Sequence, residues 1–189
     1  SITDWDPLMC AIPPLNHQEW MAAFGKYQQT PQYHLLNSDF SLNNFKSIFF
    51  WEYFHRLWAR LMGVVFLIPF IVFLVRKRFN RSMVNPMIIL FLLGALQGAI
   101  GWLMVESGLI GDNVRVNHIK LAIHFITAML LLCYTLWFAL KLLVKEGQRL
   151  RQPALKKFTI IIIVILTLQL IYGAFMAGMH AELAAPTWP

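Results

Sequence analysis

Trp51-Glu52-Tyr53-Phe54-His55-Arg56-Leu57-Trp58-Ala59-Arg60-Leu61-Met62-Gly63 opens an apolar run that continues to Val75. Four ionisable side chains, Glu52, His55, Arg56 and Arg60, stand at the mouth of what otherwise reads as a membrane-crossing helix. Their spacings of three and four put them on one helical face. Charge in a membrane segment is costly, so such residues point to function or to mutual pairing. With that run read as a span at about 52–75, three more of similar length follow, at about 84–106, 119–143 and 158–178. The chain has 189 residues, 58% hydrophobic and 13% charged, which is too apolar for an ordinary soluble domain. Only helices and closed barrels satisfy their backbone in lipid, and continuous runs exclude the alternating strands of a barrel. The expected fold is all-α: a polytopic transmembrane helix bundle with four spans.

The net charge of +7 raises nucleic acid as a partner, but its distribution argues against that. Arg76, Lys77, Arg78 and Arg81 fill the connection after the first span. Lys141, Lys145, Arg149, Arg151, Lys156 and Lys157 fill the one after the third, and those ten basic residues face a single acid, Glu146. Such asymmetry is the positive-inside pattern, which puts both basic loops in the cytoplasm, or in the matrix of an organelle. Binding of anionic lipid by these loops is the lesser alternative.

The chain then divides into an outer-side segment 1–50, three spans over 51–145, a basic inner loop 146–157, and a fourth span with an outer tail over 158–189. Asn16-His17-Gln18-Glu19 reads as a helix start with a capping box, followed by Trp20, Phe24 and Tyr27 at helical spacing. This is expected to be a short amphipathic helix on the membrane surface or over the bundle. Ser41 begins another cap, with Phe45, Phe49 and Phe50 leading into the first span. Gly94-x-x-x-Gly98 in the second span is a small-residue pattern expected to let helices approach closely. Leu96-Gln97-x-x-x-Gly101-x-x-Met104 returns as Leu168-Gln169-x-x-x-Gly173-x-x-Met176, an echo of duplication. Cys10 and Cys133 differ in membrane depth, so no disulfide joins them, and their spacing suggests no metal site.

Alternating spans place His55 and His124 at similar depth, each near the outer end of an inward-running helix. Two imidazoles from facing helices can hold a haem or a metal. Arg56 and Arg60 are suited to haem propionates, and Glu52, one turn from His55, to acid–base or cation-stabilising work. The pattern alone leaves two other readings open. Glu52 and Arg56 could simply pair, with the histidines structural, or the group could form a metal site or proton path. Glu106 and Arg115 rank below Arg56 as propionate partners. His118 reads as exposed at the helix entrance, His180 as interfacial, His17 and His34 as surface residues, and Trp51, Trp58, Trp102 and Trp137 as interface anchors or packing.

Glu52 to Gly63 closely resembles the first-half signature of the haem A synthase family, in its mitochondrial and proteobacterial form. Ser1-Ile2-Thr3-Asp4-Trp5, Ile12-Pro13-Pro14-Leu15 and Lys26 to Tyr33 resemble that family's first outer loop. Gln97 to Leu109, Leu121-Ala122-Ile123-His124, Gly173 to Gly178 and Thr187-Trp188-Pro189 resemble later blocks in the same order. The resemblance implies eight transmembrane helices in two similar halves, of which this chain carries helices two to five, as part of a longer protein. It implies oxidation of a haem O methyl group to the formyl of haem A, through hydroxylated intermediates, for cytochrome oxidase biogenesis. It matches His55 and His124 to the substrate-haem histidines and Glu52 to an essential glutamate, and it assigns a b-type haem to the other half. The implied location is the bacterial inner membrane, or the mitochondrial inner membrane in a eukaryote. A haem O synthase, an electron acceptor and a second copy of the chain are the partners it leaves open. Many bacterial relatives have a cysteine pair in the first outer loop where this chain has only Cys10. Glu182 and Pro186 also depart from the small or polar residues favoured in the tail. The rivals from other classes are a bis-histidine haem b electron carrier and a proton-relaying transporter-like bundle.

Overall fold

The computed structural model describes residues 12–108, 116–145, 147, 152–181 and 184. Among them run six helices: α1 (His17–Gln28), α2 (Pro31–Leu36), α3 (Leu42–Val75), α4 (Arg81–Gly108), α5 (His118–Leu143) and α6 (Pro153–Met179). The last four are long and apolar enough to cross a membrane, and the described residues contain no strand. The chain falls into two compact units. One comprises Ser1–Phe79 with Val105–Val116, the other Asn80–Met104 with Asn117–Pro189.

In the first unit, α1 starts where its sequence says it should. Asn16 accepts from the Glu19 N–H at 2.9 Å, and its own amide donates to Glu19 Oε1 at 2.7 Å. Glu19 Oε2 accepts from the Leu15 N–H at 2.8 Å, one residue earlier than in a standard capping box. Thr30 caps α2 and Pro31 occupies its first turn, where a missing N–H costs nothing. Helix α3 begins at the Ser41 cap and runs unbroken through Pro69. The cap expected at Ser41 is where the helix starts, and the apolar span expected from about 52 continues the same helix. At about 1.5 Å per residue its 34 residues extend about 51 Å, well beyond the roughly 30 Å of hydrocarbon. The surplus N-terminal turns give α1 its partner. Tyr27, Phe45, Phe24 and Phe49 form a buried aromatic cluster. Tyr27 stacks on Phe45 at 5.2 Å, and Trp20 meets Phe49 edge-on at 5.0 Å. The amphipathic helix therefore covers the extension of α3, with its polar tip tied by Asn37, which donates to the Tyr27 hydroxyl at 2.6 Å. At its other end α3 stops in a Schellman turn. Lys77 is left-handed at φ 52°, the Arg78 N–H reaches Phe73 and the Lys77 N–H reaches Leu74.

In the second unit, α5 and α6 pack together. The contact uses small residues: Ala122 and Ala174 are buried, and a Cβ built on Gly178 would lie 2.8 Å from His118 Cβ and 2.9 Å from its Cα. The ring of His118 also meets Phe175 edge-on at 6.1 Å, so this histidine is half-buried packing rather than the exposed residue expected. A Cβ on Gly94 or Gly98 meets nothing within 4 Å, so the expected close approach there is not made among the described residues. Glycine spacing announces a small face but not the surface that seats on it. Replacing Gly178 by valine is expected to destabilise the α5–α6 pair by about 1–3 kcal/mol, because the backbone of His118 must move. The check is the thermal midpoint in detergent against Gly98→Val; equal midpoints would sink the close-approach reading. Helix α6 begins at Pro153, so Lys156 and Lys157 lie in its first turns rather than in the connecting loop. Tyr134 of α5 donates to the Pro86 carbonyl of α4 at 3.1 Å. Most of α6 is exposed apolar surface, which suits contact with lipid chains.

Candidate functional site

The sequence-predicted residues divide between the two units. Glu52, His55, Arg56 and Arg60 lie on α3 in the first, and His124 lies on α5 in the second.

On α3 the i, i+4 spacing does what it allows. Arg56 donates to Glu52 and the two form an ion pair. Their side chains are 16% and 25% exposed, so this pair is largely withdrawn from the surface. Pairing lowers the cost of keeping either charge in an apolar segment. Arg60 continues the same stripe one turn further and is half-buried. His55 projects from the exposed part of the helix surface. Beside it runs an aromatic ladder, in which Phe50 stacks on Phe54 at 5.9 Å and Phe54 on Trp58 at 6.0 Å.

On α5, His124 is half-buried and tightly held. Gln97 of α4 places its amide nitrogen 3.1 Å from His124 Nδ1 and 2.9 Å from the His124 carbonyl oxygen. Thr127, one turn beyond His124, donates to Gln97 Oε1 at 2.6 Å. Gly101, one turn along α4 from Gln97, makes room for the ring: a Cβ there would sit 2.8 Å from His124 Cε1. The sequence singled out Gln97 and Gly101 as members of a repeat and of a family-like block, without linking either to His124, and did not single out Thr127. The available signal was polarity, since an amide inside an apolar span needs a partner. The repeat itself is not echoed in packing, because a Cβ on Gly173 meets nothing within 4 Å.

The side chains on each unit are of kinds that suit a haem: α3 carries an imidazole and guanidinium groups of the type that meet propionates, and α5 carries an imidazole seated in a recess that any Cβ at position 101 would fill. No cluster of three or more metal-ligating side chains occurs among the described residues. Glu106 is exposed near the end of α4. Cys10, Arg115, Glu146, Arg149, Arg151, Glu182, Pro186 and the terminal motifs Ser1 to Trp5 and Thr187 to Pro189 lie outside the described residues.

A family model described as "Cytochrome oxidase assembly protein" (COX15-CtaA) matches residues 1–189. The haem A synthase of Rhodospirillum centenum is 45% identical over 192 residues, covering all of this chain and 50% of that protein. The haem A synthases of Flavobacterium johnsoniae and Parvibaculum lavamentivorans are 41% and 43% identical, again over the whole chain and over 56% and 54% of their own lengths. The chain thus spans about half the length of the curated relatives it matches. No solved structure matches it.

Proposed function

The chain belongs to the cytochrome oxidase assembly protein family, and from that premise we propose that it is the substrate-haem portion of a haem A synthase. The observation that carries this reading is the likeness to haem A synthases along its whole length, at 41–45% identity. The spans and the donor set agree with it. Haem O is then the substrate and haem A the product, a methyl carbon becoming a formyl carbon. That change brings in an oxygen atom, from water, and releases protons to the solvent and electrons, so it requires an electron acceptor outside this chain. Bound haem supplies the redox chemistry, and the protein supplies orientation and electrostatics.

Each residue has a stated role in this proposal. His55 and His124 each offer an imidazole to the haem iron. Arg56, with Arg60 behind it, meets propionates and braces Glu52. Glu52 holds or moves a proton, or offsets positive charge, at the methyl being oxidised. The basic connections face the cytoplasm or matrix, which puts α1 and α2 on the outer side. The host membrane is the bacterial or mitochondrial inner membrane. A haem O synthase delivers the substrate, a b-type haem belongs to the remaining half of the protein, and self-association is compatible with the exposed apolar helices.

The test is product analysis. The full-length protein, supplied with haem O and an electron acceptor in membranes, is expected to yield a formyl haem detectable by its mass and its pyridine haemochrome band. Reversible reduction and oxidation of unmodified haem, with no formyl product, would overturn this reading in favour of an electron carrier.

A further inference from the structure

Gln97 is an amide in the middle of an apolar span, and every group it can use is engaged with α5. Its orientation is assigned by its partners. The Thr127 hydroxyl, 2.6 Å away, has one proton to give and the amide oxygen accepts it. The His124 carbonyl can only accept, so the group 2.9 Å from it is the amide NH2. Those two constraints agree. They leave the second amide proton facing the ring, the amide nitrogen lying 3.1 Å from Nδ1 and 3.5 Å from Nε2.

We propose that Gln97 is the positioning residue of His124, fixing the place of the imidazole. Thr127 holds the amide, and Gly101 admits the ring against α4. An amide suits this task because one end accepts from the Thr127 hydroxyl while the other donates toward His124. That this seat presents the ring to a haem iron rests on the haem-ligand reading of His124 given above.

The experiment is nitrogen NMR of the haem-free chain in nanodiscs with labelled histidine, the His124 signals being assigned by their loss in His124→Ala. Gln97→Met, matched in length but without the amide, is expected to shift the His124 ring-nitrogen signals, and Thr127→Val to shift them the same way because its amide is unclamped. A residue that merely packs could be replaced by methionine without moving them. Signals unchanged in both variants would overturn the proposal. A second arm adds haem. Gln97→Met is expected to weaken haem binding by about 10–100-fold, the size usual for an outer partner of a liganding histidine. Ring signals that respond as stated in a chain that takes up no haem would uphold the positioning role and overturn the haem reading instead.

Discussion

Glu52→Gln in the full-length protein is expected to keep its haem and lose turnover of haem O by about 10²–10⁴-fold, the range a positioned acid–base group supplies. The substitution is chosen for what it preserves. Glutamine has the length of glutamate and still accepts a hydrogen bond from Arg56, so the i, i+4 contact on α3 survives without its charge. Truncation to alanine would instead leave the Arg56 guanidinium without its carboxylate in a largely buried position. The two variants therefore separate chemistry from support. If the carboxylate works on the methyl group, both stall and glutamine folds normally. If the pair only braces the helix, glutamine turns over normally and alanine loses stability. Turnover at the wild-type rate in Glu52→Gln would remove Glu52 from the reaction. Haem content and the thermal midpoint, measured on the same preparations, keep a folding defect from passing as a catalytic one.

How far these features could be read from sequence depends on whether the signal is local. The four spans were legible because hydropathy is a property of the segment itself. The first ten residues of α3 carry a different signal, since Leu42 to Trp51 mixes polar and aromatic residues and falls below a span's hydropathy. The Ser41 cap and the four-residue step from Phe45 to Phe49 marked them as helix, but not as one helix with the span. The Glu52–Arg56 pair was legible because both partners sit on one helix. Seats made between helices were not. Gly94, Gly98 and Gly178 look alike in sequence, yet only Gly178 meets a neighbouring backbone, because seating depends on the register of α6 against α5. The same holds for Gln97 and Gly101, whose relation to His124 depends on how α4 meets α5. Polarity in an apolar run shows that a partner exists and does not say which one.

Removing both imidazoles, as His55→Ala with His124→Ala, is expected to abolish haem binding by this chain of 189 residues. Each single variant is expected to lose the low-spin signature of two nitrogen ligands, with a penalty beyond the roughly 10–100-fold typical of an outer-shell change. The two histidines should not respond alike. His55 projects from an exposed helix surface, so its loss leaves an open place that added imidazole can fill. His124 is held by Gln97 and lies against Gly101, so its loss also takes the ring away from one amide proton of Gln97 and empties the recess beside Gly101. A polar proton left without a partner in an apolar span costs free energy of its own. Added imidazole is therefore expected to restore the spectrum of His55→Ala more fully than that of His124→Ala. This chain is the right object for the measurement, because its relatives are about twice as long and the b-type haem proposed for the remaining half would mask the loss. A haem spectrum that survives in the double variant would refute both ligand assignments, whatever the full-length protein does with haem O.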